Sequence, residues 1–346
     1  MQPRILIVGC GAIGGVLAGA LLEIGQDVSV LTTNDAIASA VAEHGVRVST
    51  ADGAIALPPT RVLREPDASA QFDYVLLATQ PPQVEAAAAS ALGMLAPEGK
   101  LVCFQNGLCE ERVAKLTEPG RVLGAVVAWG ASVIEPGVYE RTSSGSFTLG
   151  RYEGGLDEAT EELGRLLEAI GPVTLTDNLR GARWSKLAIN AAISTLGTIG
   201  GDRLGPLMRH RHVRRLALEI MTETVRVAQA EGVQLEKVSG TLDLNWIALT
   251  EAEQSAAGSP GLLAKHTLLL AVGARYRRLR SSMLAAIERG RPPAVDFLNG
   301  EILDRAKQHR LRAPINQAAR DLVWAIARGE ATPSHALVRK LYDDTR

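Results

Sequence analysis

The sequence has little with which to cross-link itself: three cysteines in 346 residues, Cys10, Cys103 and Cys109. Three thiols cannot build a disulfide framework, and their spacing is not that of a zinc site. A reducing compartment, the cytoplasm, is therefore expected, with no metal. Neither sign of charge is in excess: 37 Lys and Arg stand against 38 Asp and Glu, a net charge of −1. That balance gives no overall electrostatic case for a nucleic-acid partner or an anionic membrane surface. No uncharged apolar stretch reaches the ~18 residues of a spanning helix, so no membrane span is expected. Residues 1–22 could be misread as a signal peptide, but their glycines and Glu23 fit a first strand and helix better. Internal repeats and low-complexity linkers are also missing. What is present is a hydrophobic content of 46%, enough for well-filled cores. The length exceeds one ordinary core, so two domains are the default.

The most informative stretch is Gly9-Cys10-Gly11-Ala12-Ile13-Gly14. It follows the apolar run Ile5–Val8 and precedes Val16–Leu22, with a second strand, Val28–Leu31, at the right distance. Strand, tight glycine turn and helix is the order a dinucleotide site needs. Gly9 permits the turn, Gly11 lets the backbone approach a pyrophosphate, and Gly14 lets helix and strand pack closely. The helix start then offers free N–H groups and partial positive charge to phosphates. A glycine motif alone is weak; its placement between strands at the head of the chain gives it weight.

The first half alternates strands and helices. A helix is expected around Asp35–Glu43 and another over Val84–Leu95, with strands at Val46–Val48, Asp73–Ala78 and Lys100–Phe104. Leu123–Ile134 is apolar and β-like, and Tyr139–Gly150 reads as a hairpin with Gly137 and Gly145 as turns. Leu156–Ile170 and Val173–Leu175 complete a doubly wound α/β sheet with an antiparallel extension. From about Gly181 helical periodicity dominates. Candidate helices are Arg183–Leu196, His212–Glu231, Leu262–Val272, Arg277–Ile287, Ala294–His309 and Ile315–Arg328. The expected organisation is a doubly wound dinucleotide-binding domain over 1–180 and an all-helical domain over 181–346.

Phe104-Gln105-Asn106-Gly107 ends a strand at the carboxyl edge of the sheet, where ligands of such folds lie; Asn-Gly is equally an ordinary turn. In Trp184–Asn190, Lys186 and Asn190 stand four apart on one helix face. That lysine either snorkels at a rim or lines a cleft. His210 and His212, among Arg209, Arg211, Arg214 and Arg215, read first as a solvated face and second as an anion site.

The glycine motif, Gln105-Asn106-Gly107, Trp184–Asn190, Ser281-Ser282-Met283 and Asp296-Phe297-Leu298-Asn299-Gly300 follow one another in an order that resembles the ketopantoate reductases over essentially the whole chain. The resemblance implies a Rossmann domain, an all-helical C-terminal domain, and hydride transfer from a nicotinamide to a small-molecule 2-oxo acid. It implies Lys186 as the catalytic group. Cofactor contacts would fall to Gly9, Cys10, Gly11, Ala12, Ile13, Gly14, Thr33, Gln80, Asn106 and Ala131, and substrate contacts to Asn106, Asn190, Ser194 and Ser282. NADP is the cofactor by family habit, with NAD as the alternative, and a homodimer is compatible with it. An ammonium beside the ketone would stabilise the oxygen charge built by hydride attack and deliver the proton.

Some positions depart from the family pattern. Ala294 stands where a glutamate is usual, Ser194 replaces an asparagine, and Leu204-Gly205 replaces Asn-Gly. Fewer polar groups favour a less polar acid than ketopantoate. Thr32-Thr33-Asn34 and Gln80 replace basic residues that would read a 2′-phosphate, while Asp35 comes a little late to hold an NAD ribose. The alternatives are an NAD-dependent D-2-hydroxyacid dehydrogenase of mandelate type, or a non-catalytic dinucleotide-binding sensor.

Overall fold

A computed structural model describes the chain apart from Met1, Asp52, 239–241 and 256–257. The chain divides into two compact units, the first ending at Leu179 and the second running from Arg180 to Arg346.

The first unit opens with β1 (Arg4–Val8), α1 (Ala12–Glu23), β2 (Asp27–Leu31), α2 (Asp35–His44), β3 (Val46–Thr50), β4 (Gly53–Leu57) and β5 (Arg61–Leu63). It continues with β6 (Phe72–Leu77), α3 (Val84–Ala91), β7 (Leu95–Cys103), α4 (Cys109–Val113), β8 (Val122–Val127), β9 (Ala131–Glu135) and β10 (Val138–Arg141). It closes with β11 (Phe147–Arg151), α5 (Glu158–Leu167) and β12 (Val173–Thr176). The large sheet runs β12-β11-β8-β7-β6-β1-β2-β5. Its strands are parallel from β5 through β8, in the order 3-2-1-4-5-6 of a Rossmann sheet. The expected antiparallel extension is there: β11 runs antiparallel to β8 and carries β12 alongside it. Central strands buried on both faces need continuous apolar runs, and Ile5–Ile7 and Val75–Leu77 are fully buried. Burying each such side chain contributes about 1.5–3 kcal/mol.

The β-like run Leu123–Ile134 carries two strands of different sheets: β8 belongs to the large sheet and β9 to a second sheet, ordered β4-β3-β10-β9. One expectation requires correction: Tyr139–Gly150 is not a hairpin. β10 pairs with β3 and β9, whereas β11 pairs with β8 and β12. The cause lies in α1, where Gly14 to Leu21 are all buried. A helix apolar all round must be covered on both sides. The second sheet supplies the outer cover, setting Val46 and Val48 of β3 and Tyr139 of β10 into the same core as Leu17 and Leu21.

The second unit is helical among its described residues, apart from an isolated bridge between Val238 and Leu242. Its helices are α6 (Leu179–Gly200, starting at the edge of the first unit), α7 (Leu204–Arg209), α8 (Arg211–Ala230), α9 (Leu244–Ile247), α10 (Glu251–Ser255) and α11 (Pro260–Arg275). After them come α12 (Ser282–Ile287), α13 (Asn299–Gln308), α14 (Pro314–Ala327) and α15 (His335–Asp344). Two expected helices start later than the sequence suggests. Ser281 caps α12 by accepting from the Leu284 N–H, so Arg277–Arg280 stay outside it. Residues Ala294–Phe297 form a 3-10 turn, and the α-helix begins only at Asn299. Val84–Leu95 is α-helical to Ala91 and 3-10 over Leu92–Met94, and Leu95 already belongs to β7.

Candidate active site

At the carboxyl ends of β1, β6, β7 and β8 the first unit gathers four loops. The backbone ladder carries on past the strands: Gly9 N–H donates to Leu31 O (2.9 Å), Ala78 N–H to Val8 O (2.9 Å) and Phe104 N–H to Leu77 O (3.1 Å). Gly9 has φ +93°, and a Cβ there would lie 2.8 Å from Thr79 Cγ2. Gly14 is closed to any side chain, since a Cβ would stand 2.0 Å from Gly9 O. Gly11 is the opposite case: a Cβ would meet nothing within 4 Å. Gly11 also occupies the N-cap of α1, with no side-chain cap and no acidic residue in the first turn. The turn is thus held shut on its inner side and left open on its outer side, with unclaimed N–H groups. That arrangement fits the pyrophosphate of a dinucleotide. Ala12 and Ile13 are half-buried at the same opening.

The Cys10 side chain faces inward. Its Sγ lies 3.2 Å from the Tyr139 hydroxyl, which donates to Cys10 O at 3.0 Å. Burial pushes the thiol up to about 11, so it stays protonated near neutrality. Cys10 therefore has only its backbone to offer a ligand. Tyr139 is a residue that the sequence reading missed, and its ring fills the space that a Cβ on Gly15 would need. It braces the glycine loop from behind.

Beyond β2, Thr33 is exposed, and Asn34 caps α2 by accepting from the Ile37 N–H at 3.0 Å. Gln80 is exposed after β6, and its N–H donates to Gln83 Oε1 at 3.3 Å. Asn106 is exposed beside Gly107, whose φ is +90°. Ala131 is half-buried at the start of β9, four residues past the end of β8.

The second unit carries the remaining candidates. On α6 the residues Lys186, Ile189, Asn190, Ile193 and Ser194 form a half-buried stripe at helical spacing, while their neighbours Ser185, Leu187, Ala188, Ala191 and Ala192 are buried. Lys186 and Asn190 do share a face. Among the described residues, the Lys186 ammonium has no hydrogen-bond or ion-pair partner. Burial lowers its pKa below the ordinary 10.5, and the nearby positive charge of Arg183 adds to the effect. Ser282 is exposed on the first turn of α12. Its neighbour Ser281 does the anchoring, donating to Ser194 O at 2.8 Å and meeting Thr198 Oγ1 at 2.8 Å.

The Asp296–Gly300 motif is a scaffold. Asp296 accepts from Arg320 Nε (2.6 Å) and Trp324 Nε1 (3.2 Å) on α14. Fully buried Asn299 accepts from Thr195 Oγ1 (2.7 Å) and donates to Ala191 O (3.2 Å) and Asn316 Oδ1 (2.9 Å). Asn316 in turn donates to Glu223 (2.7 Å), whose carboxylate also accepts the Ile315 and Asn316 N–H groups at the start of α14. This buried chain holds α6 against α8, α13 and α14, and so fixes the stripe that bears Lys186. Glu223, Thr195 and Asn316 had no signal of their own in the sequence. Leu204 is buried and Ala294 opens the 3-10 turn before Asn299, so neither supplies a polar side chain.

A Rossmann-order sheet with an open glycine loop, followed by a helical unit, is the architecture of a two-domain oxidoreductase. Residues 5–154 match the family model "Ketopantoate reductase PanE/ApbA", and residues 178–327 match "Ketopantoate reductase PanE/ApbA C terminal". The chain belongs to this family of oxidoreductase enzymes. It is 27% identical over 329 residues to the 2-dehydropantoate 2-reductase of Pyrococcus horikoshii, covering 94% of this chain and 97% of that protein. The PanE/ApbA family ketopantoate reductase of Ralstonia eutropha JMP134 superposes with a TM-score of 0.78 at 25% identity, covering 94% and 99% of the two chains. D-Mandelate dehydrogenase, solved with NADH and anilino(oxo)acetate, shares the fold with a TM-score of 0.79 at 19% identity, over 94% and 98%.

Proposed function

We propose that this protein reduces a 2-oxo acid to the D-2-hydroxy acid, with residues 1–180 holding NADPH or NADH and residues 181–346 holding the acid. The observation that carries this reading is Lys186, a half-buried amine of lowered pKa with no carboxylate beside it. A binding protein has no use for such a group, and burying one is costly. The bound dinucleotide supplies the hydride. The glycine loop binds its pyrophosphate through backbone N–H groups, and Thr33, Gln80, Asn106 and Ala131 line the rest. Lys186 stabilises the developing alkoxide and gives it a proton, an acid role its lowered pKa suits. Asn190, Ser194, Ser282 and Asn106 donate to the carboxylate and carbonyl. A reducing, cytoplasmic setting suits the three buried, reduced thiols.

Leucine at 204 and alanine at 294 point to an apolar acid, branched or aryl, rather than ketopantoate. The test is loss of NADPH or NADH absorbance with a panel of 2-oxo acids, ketopantoate among them. We expect turnover, with a less polar acid giving the highest kcat/KM. Ketopantoate ahead by about tenfold restores it as the substrate. No oxidation of either cofactor with any acid removes the reading.

A further inference from the structure

The loop after β2 carries no cation, yet the structure brings one to it from the neighbouring strand. β5 pairs with β2 in parallel, with Leu31 opposite Leu63, and the Thr32 N–H donates to Leu63 O at 3.1 Å. The next residue, Arg64, therefore emerges beside Thr32-Thr33-Asn34. Its guanidinium bonds the Asp35 carboxylate and donates to Ser39 Oγ at 3.0 Å, both on α2. Arg64 and Asp35 are both substantially exposed, at 52% and 89% of their side chains. The other nearby arginine is at the wrong end: Arg61 lies opposite Ser29, and its side chain pairs with Asp67 at 2.9 Å.

In a Rossmann sheet the end of β2 is where the adenosine ribose is read. We propose that Arg64 and Asp35 together form the reader of the ribose 2′ position, resting on the dinucleotide reading given above. A 2′-phosphate carries about two negative charges and offers a guanidinium a bidentate, charge-assisted contact. An exposed ion pair is weak, so Arg64 exchanges Asp35 for the phosphate readily. When the ribose carries a free 2′-hydroxyl, Asp35 accepts its hydrogen bond and Arg64 stays paired. One exposed pair thus serves both cofactors and favours neither strongly. The same pairing explains how the loop does without a basic residue at Thr33 and without an acidic one at the end of β2.

The experiment is direct binding of NADPH and NADH, measured by calorimetry on the full chain without substrate, for the parent and three variants. Arg64→Gln should weaken NADPH by about tenfold or more and change NADH by less than about twofold. Asp35→Asn should shift the affinity ratio toward NADPH by about fivefold or more, because the freed guanidinium meets no competitor. Arg61→Gln, as the control, should leave the ratio where it is. Both active variants sit on exposed side chains, so a folded protein is expected, and an unchanged far-UV spectrum checks it. A ratio that stays within about twofold of the parent in Arg64→Gln overturns the assignment of Arg64, while binding of both cofactors keeps the dinucleotide site intact. Absence of binding of either cofactor to the parent overturns both.

Discussion

Gly11→Asp separates the fold from the site. A Cβ at Gly11 meets nothing within 4 Å, and the residue sits at φ −77° and ψ −159°, a conformation open to any side chain. It is also the N-cap of α1, which has no side-chain cap. Aspartate is among the best N-caps and exceeds glycine by a few tenths of a kcal/mol, with about 0.3–1 kcal/mol more from the helix dipole. The substitution should therefore leave the melting temperature unchanged or raise it by about 1–4 °C. Cofactor binding should move the other way. A carboxylate about 4 Å from a phosphate charge, at an effective dielectric of about 20, costs about 4 kcal/mol, or about three orders of magnitude in affinity. Calorimetry with NADPH and NADH, alongside thermal denaturation, reads both effects. Unchanged cofactor affinity would refute the placement of the pyrophosphate. A fall of more than about 5 °C would refute the open space at Gly11.

Three further outcomes are expected. Lys186→Ala should lower the rate of hydride transfer by about a hundredfold or more, with cofactor affinity little changed and a melting temperature equal to or above the parent's, since a half-buried unpaired ammonium is lost; near-parental turnover would remove Lys186 from the chemistry. For the pH profile, the reduction needs the ammonium, so kcat/KM should fall as pH rises through a pKa below 10.5, the oxidation should fall as pH drops through it, and both limbs should vanish in Lys186→Ala. Thr33→Arg should shift the kcat/KM ratio toward NADPH, and a parent preference for NADPH above about a hundredfold, or no shift, would show that the loop reads something else.

Local signals made the glycine loop, the Rossmann strands and α6 legible in the sequence. The Gly9–Gly14 spacing encodes a turn, and the Lys186/Asn190 spacing encodes a shared face. The second sheet was not legible because it depends on a distant need: α1 is apolar all round, and β3, β4, β9 and β10 are each too short to declare their partners. Nothing in the run Leu123–Ile134 marks a change of sheet except Gly130, whose N–H donates to the Ser143 hydroxyl oxygen at 2.9 Å. Helix α15 was missed because only Val338 and Leu341 of its ten residues are buried, too few for a clear stripe. Around the site, the sequence gives residue types but not brackets. Glu223, Asn316, Asn299 and Thr195 come from four helices and meet only in three dimensions. Their buried hydrogen bonds are nevertheless what orient the half-buried face of α6.

Hydride transfer itself is the central claim. The most direct measurement uses NADH or NADPH deuterated at C4 of the nicotinamide, with a branched or aryl 2-oxo acid, and analysis of the product by mass spectrometry and chiral chromatography. One deuterium at C2 of a D-2-hydroxy acid, from one face of the labelled cofactor, is the expected result. An unlabelled hydroxy acid, or no product while the cofactor binds, would contradict it.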